Sequence, residues 1–203
     1  MSNNILVNEQ LGFHDNVSTD SAIFKLIESI FNAWNNKEYV TGLFYDLTKA
    51  FDSVCHEILI LKLEFCGVKG CILNWLKSYF HNRKQRVVLH FVSSPNLLLK
   101  WEIIRHGAPQ GSVVGPLVFI VYFNYFPCII NKISHTILCA DDTNILVSSS
   151  DLNELNSKLN SVLCWISKWF QNTQLVLNLN KTHIVKFASS KLLTYPLNIA
   201  YNS

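Results

Sequence analysis

Three carboxylates stand where apolar runs end. Asp46 follows Val40 to Tyr45, and Asp141 with Asp142 divides the run Ser134 to Ala140 from Thr143 to Ser148. Aspartate is common in turns and after strands because its short side chain bonds nearby backbone, and that modest role suffices for each position taken alone. Adjacent carboxylates also repel one another unless a cation sits between them, and hard oxygen ligands select Mg²⁺ or Mn²⁺. Two such ions, roughly 3.5–4 Å apart, can activate a hydroxyl and hold a leaving pyrophosphate in phosphoryl transfer. Asp46 lies far from the pair in sequence, so only the fold can unite them. Such a site needs carboxylates on rigid strand ends beneath an open groove.

The hydrophobic spacing supplies candidate elements. Ser18-Thr19-Asp20-Ser21 predicts a helix N-cap, and Ile23, Leu26, Ile27, Ile30, Phe31 and Trp34 follow at helical spacing as the stripe expected on the core. Val40 to Tyr45 predicts a buried strand, and Glu57 to Cys66 and Ile72 to Phe80 predict helices, the first stopped by Gly67. Gln85 to Val92 and Leu97 to Ile104 predict two strands joined through Ser93-Ser94-Pro95-Asn96. Pro116 to Ile130 predicts an apolar helix with proline in its first turn. The runs flanking Asp141-Asp142 predict a tight hairpin, and Asp151 to Gln171 a long helix with Leu155, Leu159, Val162 and Ile166 on one face. Gln174 to Leu179 and His183 to Ala188 read as final strands. This order implies an α+β sheet with helices on one face.

The chain has 203 residues, of which 49% are hydrophobic and 15% charged. The charged share lies below the usual value of about 25%, which excludes a disordered tail and suits a single domain or part of one. The longest apolar stretch, Val113 to Ile130, is interrupted by Gly115, Pro116, Asn124 and Pro127, so no membrane span is expected. The polar N-terminus lacks the order of a signal peptide, which points to an intracellular setting, nuclear or cytoplasmic, and not to secretion. The six cysteines form no C-x-x-C pair and read as buried free thiols. A net charge of +3 does not announce a polyanion partner, but all three arginines, 83, 86 and 105, fall between His81 and His106 with Lys84 and Lys100 against a single acid, Glu102.

Several short boxes occur in a telling order. Phe44-Tyr45-Asp46-Leu47-Thr48-Lys49-Ala50-Phe51-Asp52-Ser53-Val54 and His106-Gly107-Ala108-Pro109-Gln110-Gly111-Ser112-Val113-Val114-Gly115-Pro116-Leu117 are followed by Cys139-Ala140-Asp141-Asp142-Thr143 and by the stretch Trp165 to Lys181-Thr182. Gln10-Leu11-Gly12-Phe13, Ser18-Thr19 and Asn82-Arg83-Lys84-Gln85-Arg86-Val87 are lesser matches. Together, over about Gln10 to Phe187, the sequence resembles the reverse transcriptase domain of non-LTR (LINE-type, jockey-like) retrotransposons. It departs from that pattern at Cys139, where the family usually places an aromatic residue, and at Tyr125, where it commonly places an acid.

The resemblance implies a right-hand polymerase palm, an antiparallel sheet backed by helices, with partial fingers and the thumb absent, the whole chain forming one partial domain. It implies an RNA-directed DNA polymerase that joins a dNTP to a primer 3′-hydroxyl on an RNA template, with Mg²⁺, or Mn²⁺ in its place. By position, Asp46, Asp141 and Asp142 would ligate the metals with help from the Leu47 carbonyl, and Lys181 would stabilise or protonate the departing pyrophosphate. Phe51 would lie beneath the incoming sugar, where a bulky ring would clash with a 2′-hydroxyl. Gln110 and Gly111 would approach the nucleotide, and Arg83, Lys84 and Arg86 would grip template or primer phosphates. Asp52 suggests a cap or a supporting hydrogen bond. The alternative is a catalytically inactive remnant, acting at most as a nucleic-acid-binding or interaction module.

Overall fold

Asp46 ends the central strand of a four-stranded antiparallel sheet in the structure, a computed structural model that describes residues 6–12, 18–91, 97–188 and 195–199. In chain order the elements are α1 (Thr19–Asn35), β1 (Tyr39–Tyr45), α2 (His56–Phe65), α3 (Gly70–Phe80), β2 (Lys84–Gln85), β3 (Val88–Leu89), β4 (Leu97–Leu98), β5 (Glu102–Ile103), α4 (Val114–Phe123), α5 (Phe126–Ile130), β6 (His135–Cys139), β7 (Asp142–Ser149), α6 (Leu152–Thr173) and β8 (His183–Phe187). The sheet order is β6-β7-β1-β8. β1 pairs with β7 from Tyr39↔Ser149 to Tyr45↔Thr143, and with β8 from Val40↔Phe187 to Phe44↔His183. The mixed α+β class, with an antiparallel sheet and helices, agrees with the reading of the sequence.

The helices do not share one face. Leu43, Tyr45, Leu138, Ile145 and Val147 pack with α2, α4 and α6, while Val40, Ile137 and Leu146, on the opposite side of the pleat, pack against α1. The expected stripe of α1 is also only partly on the core: Ile30, Leu26 and Trp34 pack there, and the rest of it does not. Ala22, Ile30 and Ala33 are buried, whereas Ile23, Phe24, Ile27 and Phe31 are exposed. Two alanines let the helix backbone come close to the sheet, and the Trp34 indole N–H donates to the Phe187 carbonyl at 3.2 Å, which fixes the rotation of the helix.

On the other face, α4 buries every residue from Val118 to Phe123. Phe123 meets Trp169 edge-on at 4.9 Å and Phe126 at 5.0 Å, and the Tyr122 hydroxyl donates to the Thr173 carbonyl at 2.6 Å. The expected single helix over 116–130 is two, because Pro127 has no N–H for the Phe123 carbonyl. Asn124, buried at the break, accepts from the Val7 backbone N–H at 2.9 Å. Lys62 of α2 donates to the Tyr122 carbonyl and lies 4.4 Å from the centre of the Tyr122 ring and 4.9 Å from that of Trp169. Burial pulls its ammonium pKa down to about 8.

Other expectations also shift. The strand expected over 174–179 reduces to one bridge, Leu47↔Leu177, before a 3₁₀ turn at Leu179–Lys181, because the Lys181 N–H turns back onto the Asn178 carbonyl at 3.0 Å. The two strands expected over 85–104 break into the short pairs β2·β5 and β3·β4, and the 93–96 turn lies outside the described residues. Of the six free cysteines only Cys55 is buried, and Cys71, Cys128 and Cys164 are exposed, since each occupies the outer side of its helix. Asp151 caps α6 as expected, its carboxylate accepting from the Asn153 and Glu154 backbone N–H groups. Tyr195 is buried against β1, where its hydroxyl donates to the Val40 carbonyl at 2.5 Å and bonds the Thr41 hydroxyl at 3.0 Å. Among the described residues no helix is long and apolar enough to cross a membrane.

Candidate active site

The fold joins the two distant acidic segments at one end of the sheet. β1 delivers Asp46, and the β6–β7 hairpin, its strands paired from His135↔Leu146 to Cys139↔Asp142, delivers Asp141 and Asp142. The two-residue loop is Ala140-Asp141, one position earlier than the sequence suggests, because Asp142 already pairs with Cys139 as the first residue of β7. Ala140 takes a left-handed backbone, φ +59°, uncommon for a residue with a side chain.

An open cleft of about 450 Å³ lies above this end of the sheet, lined by Asp46, Leu47, Phe51, Gln110, Asp141, Asn178 and Lys181, with Thr48 to Ala50. Asp46 is held on both its main chain and its side chain by Asn178, whose backbone N–H donates to the Asp46 carbonyl at 2.9 Å and whose side-chain amide donates to Oδ2 at 3.1 Å. The Lys181 ammonium stands 3.4 Å from the same oxygen and is largely exposed. Asp142 has its carboxyl pushed up by burial, then by the charges of Asp141 and Asp46, against an opposing pull from Lys181. The three acids therefore sense one another, and Lys181 partly balances them.

Among the described residues, no three His, Cys, Asp or Glu side chains stand close enough together to hold a metal ion as they are. The donor chemistry still fits a hard divalent cation: the groups are carboxylate oxygens, burial and then mutual repulsion push the Asp142 carboxyl up, and the balancing ammonium is exposed.

Gln110 is positioned by a turn whose spacing now has a physical account. The Ser112 hydroxyl donates to the Pro109 carbonyl at 2.6 Å and accepts from the Gly115 N–H at 3.0 Å. A Cβ on Gly115 would come within 2.6 Å of the Pro109 oxygen, so glycine is required there. The Ala108 N–H donates to the Phe51 carbonyl at 2.7 Å and the Gly107 N–H to the Val54 carbonyl at 2.8 Å, joining this turn to the segment after Asp46. The Gln110 side-chain amide then donates to Asp52 Oδ1 at 2.8 Å, which realises the supporting hydrogen bond suggested for Asp52. Phe51 lies in the cleft wall with its ring 4.7 Å from Phe119.

The remaining candidates lie apart. Gly111 opens into free space with φ +76°, and neither it nor Asp142 lines the cleft. Arg83, Lys84 and Arg86 sit on the β2–β5 hairpin, the Arg83 guanidinium 5.2 Å from the Tyr79 ring centre and that of Arg86 4.6 Å from that of Trp101. A larger cavity of about 960 Å³, lined by His56, His81, Arg105, His106 and Gln174 among others, contains none of the three aspartates. Volume and candidate chemistry are thus separated. Sequence reasoning missed Asn178 and gave no role to Gln10. The only sequence signal for Asn178 is its place three residues before Lys181.

Over residues 1–197 the chain matches the family described as "Reverse transcriptase (RNA-dependent DNA polymerase)". It is 32% identical over 191 residues to the "Probable RNA-directed DNA polymerase from transposon BS" of Drosophila melanogaster, covering 88% of this chain and 20% of that protein. It is 28% identical over 186 residues to the "RNA-directed DNA polymerase from mobile element jockey" of the same organism, covering 89% and 20%. The chain therefore spans about a fifth of the length of these curated relatives. Its fold is similar to telomerase from Candida tropicalis solved in complex with a TWJ fragment of telomeric RNA, with a TM-score of 0.63 at 12% identity, covering 90% of this chain and 31% of that one. A second structure, of apo telomerase from that yeast truncated from its C-terminal domain, gives a TM-score of 0.57 at 13% identity, covering 90% and 37%.

Proposed function

The chain belongs to the reverse transcriptase (RNA-dependent DNA polymerase) family, and from that premise we propose that it is the palm, with part of the fingers, of a non-LTR retrotransposon RNA-directed DNA polymerase. The observation that carries the reading is the single cleft in which Asp46, Phe51, Gln110, Asp141 and Lys181 meet from four separate stretches of sequence. Chain 1–203 is read as one part of the polymerase domain, working inside the cell.

In the proposed reaction a primer 3′-hydroxyl attacks the α-phosphate of a dNTP paired to an RNA template. The new phosphorus–oxygen bond forms as the bond to the β-phosphate bridging oxygen breaks, pyrophosphate leaves, and the hydroxyl proton passes to solvent. Asp46, Asp141 and Asp142, with the Leu47 carbonyl, would hold Mg²⁺ or Mn²⁺. When bound, the metal lowers the hydroxyl's pKa and neutralises charge building on the phosphates. Asn178 keeps the Asp46 carboxylate in one orientation, so the loss of mobility is not deferred to the reaction. Lys181 stores a proton at the cleft rim for the departing pyrophosphate. Phe51, backed by Phe119, presents a wall that a 2′-hydroxyl would meet, and Gln110 and Gly111 contact the nucleotide. Arg83, Lys84 and Arg86 bind nucleic-acid phosphates outside the cleft.

Primer extension on an RNA template with dNTPs and Mg²⁺ or Mn²⁺ tests this, comparing the native chain with an Asp141→Asn, Asp142→Asn double variant. Incorporation by the native chain, lost in the variant, is expected. Silence from both folded proteins, with RNA binding retained, would assign the chain the non-catalytic nucleic-acid-binding role instead.

A further inference from the structure

We infer that Gln10 is a positioning residue for the acidic turn: its buried carboxamide fixes the Ala140 peptide and so aims Asp141 and Asp142 at the divalent cation. The inference rests on the metal-ion reading above and adds a residue that makes no contact with the cation.

Gln10 is only 1% exposed. Its Oε1 accepts from the Gly12 N–H at 2.8 Å and from the Ala140 N–H at 3.1 Å, while its Nε2 donates to the Ala140 carbonyl at 3.5 Å. Both polar groups of Ala140, the residue in the left-handed conformation, thus end on one side chain. A buried glutamine is costly unless its amide is satisfied, and a left-handed residue with a Cβ is strained relative to the usual backbone. The hydrogen bonds between them offset both costs here, because the unusual peptide orientation is what the amide grips.

The clamp is itself anchored. The Leu11 N–H donates to the Leu138 carbonyl at 2.8 Å and the Leu138 N–H to the Glu9 carbonyl at 2.9 Å, so this segment pairs in parallel with β6. A Cβ on Gly12 would stand 2.3 Å from the Ala140 nitrogen, which leaves the segment no room for a side chain there. Only a carboxamide offers an acceptor and a donor at this spacing. A carboxylate would set an oxygen against the Ala140 carbonyl and add a fourth charge beside the aspartates, and an apolar side chain would leave the half-buried Ala140 N–H without this partner. Rotation of the peptide joining Ala140 to Asp141 swings the following carboxylates, and groups that orient metal ligands change metal affinity by about 10–100-fold.

The test is Mn²⁺ binding followed by electron paramagnetic resonance in the full chain, which needs no turnover. Gln10→Met, of similar length and apolar, is expected to weaken Mn²⁺ binding about tenfold or more. Leu11→Ala, on the same segment but packed against Ala22 and Ile137, is expected to lower the urea midpoint and leave the Mn²⁺ affinity within about twofold. Equal affinity in native and Gln10→Met proteins, or an equal loss in both variants, overturns the inference. If Gln10→Met does not fold, the native chain decides. On titration with Mg²⁺ the side-chain amide resonances of Gln10 should move with the same midpoint as the Asp141 backbone amide, and stationary Gln10 resonances overturn the clamp. A native chain that binds no Mn²⁺ defeats the metal-ion reading as well, whereas native binding unaffected by Gln10→Met defeats only the clamp.

Discussion

β1 is hydrogen-bonded along its whole length to β7 on one side and to β8 on most of the other, whereas among the described residues no strand of the hairpin spanning residues 84–103 pairs over more than two residues. The sheet buries Val40, Leu43 and Tyr45 of its central strand, while the hairpin exposes Val87, Leu97, Leu98, Trp101 and Ile103. The same backbone pairing serves two ends. In the sheet it fixes side chains to within a hydrogen-bond length, as the proposed phosphoryl transfer needs; in the hairpin it presents a cationic and aromatic surface with little of its own core beneath. The contrast teaches that the carboxylates should tolerate almost no displacement, and that the hairpin should act through charge and exposed rings without relying on register.

Five measurements would break or sharpen that contrast. The largest effect is expected from the Asp141→Asn, Asp142→Asn variant: at least about 10³-fold less incorporation, several kcal/mol of transition-state stabilisation. Its urea midpoint should be no lower than native, because like charges that push the Asp142 carboxyl up are removed. A lower midpoint would show that the pair supports the fold instead. Phe123→Ala, at the centre of the aromatic cluster under the sheet, should cost about 3–5 kcal/mol in equilibrium unfolding; a loss below 1 kcal/mol would mean that the cluster is loosely packed.

Lys62 supplies a pH signature of the same core. Its folded pKa of about 8 lies below the ordinary value of 10.5, so below pH 8 the folded state carries the full cost of a desolvated ammonium. As pH rises from about 8 to 10.5 the folded protein gives up this proton before the unfolded one does, and stability should rise by up to about 3 kcal/mol. Lys62→Met should flatten that rise and be more stable than native at pH 7, which urea titrations at pH 7, 8.5 and 10 would check. Asn178→Ala should lower kcat about tenfold through a bond to charged Asp46, with little change in KM for dNTP; a rise in KM alone would contradict a positioning role. The smallest effect belongs to the hairpin. Arg86→Ala should change stability by less than about 0.5 kcal/mol and reduce the slope of RNA affinity against salt by about 0.7–0.9. An unfolding change above 1 kcal/mol would mean that the Arg86–Trp101 contact holds the hairpin together.

Periodicity made β1, β8, α2, α3, α6 and the β6–β7 hairpin legible to within a few residues, because each has one dominant apolar face or run. It was right for Leu26, Ile30 and Trp34 of α1 and wrong for Ile23, Ile27 and Phe31, because the helix has apolar residues all round and alanines with an indole hydrogen bond choose the buried side. It also misjudged the 174–179 strand, where one pairing to Leu47 gives way to a turn. The short boxes marked Asp46, Phe51, Gln110, Asp141 and Lys181, which line one cleft. Asn178 and Gln10 were not legible as supports, since a side chain that grips a distant backbone leaves no periodic trace. The three exposed cysteines defeated an average tendency of thiols toward burial.

The position of β1 in the sheet has a consequence in time. Its partners β7 and β8 both follow it by roughly 100 residues or more, and ribosomes add about 5–20 residues per second. For several seconds of synthesis the nascent chain therefore carries an apolar strand with neither edge occupied and only α1 available to shelter one of its faces. The apolar helices made in that interval, α2 and α4 above all, are the first surfaces that can cover the other face, which makes the order of translation part of how this sheet is protected from misassociation.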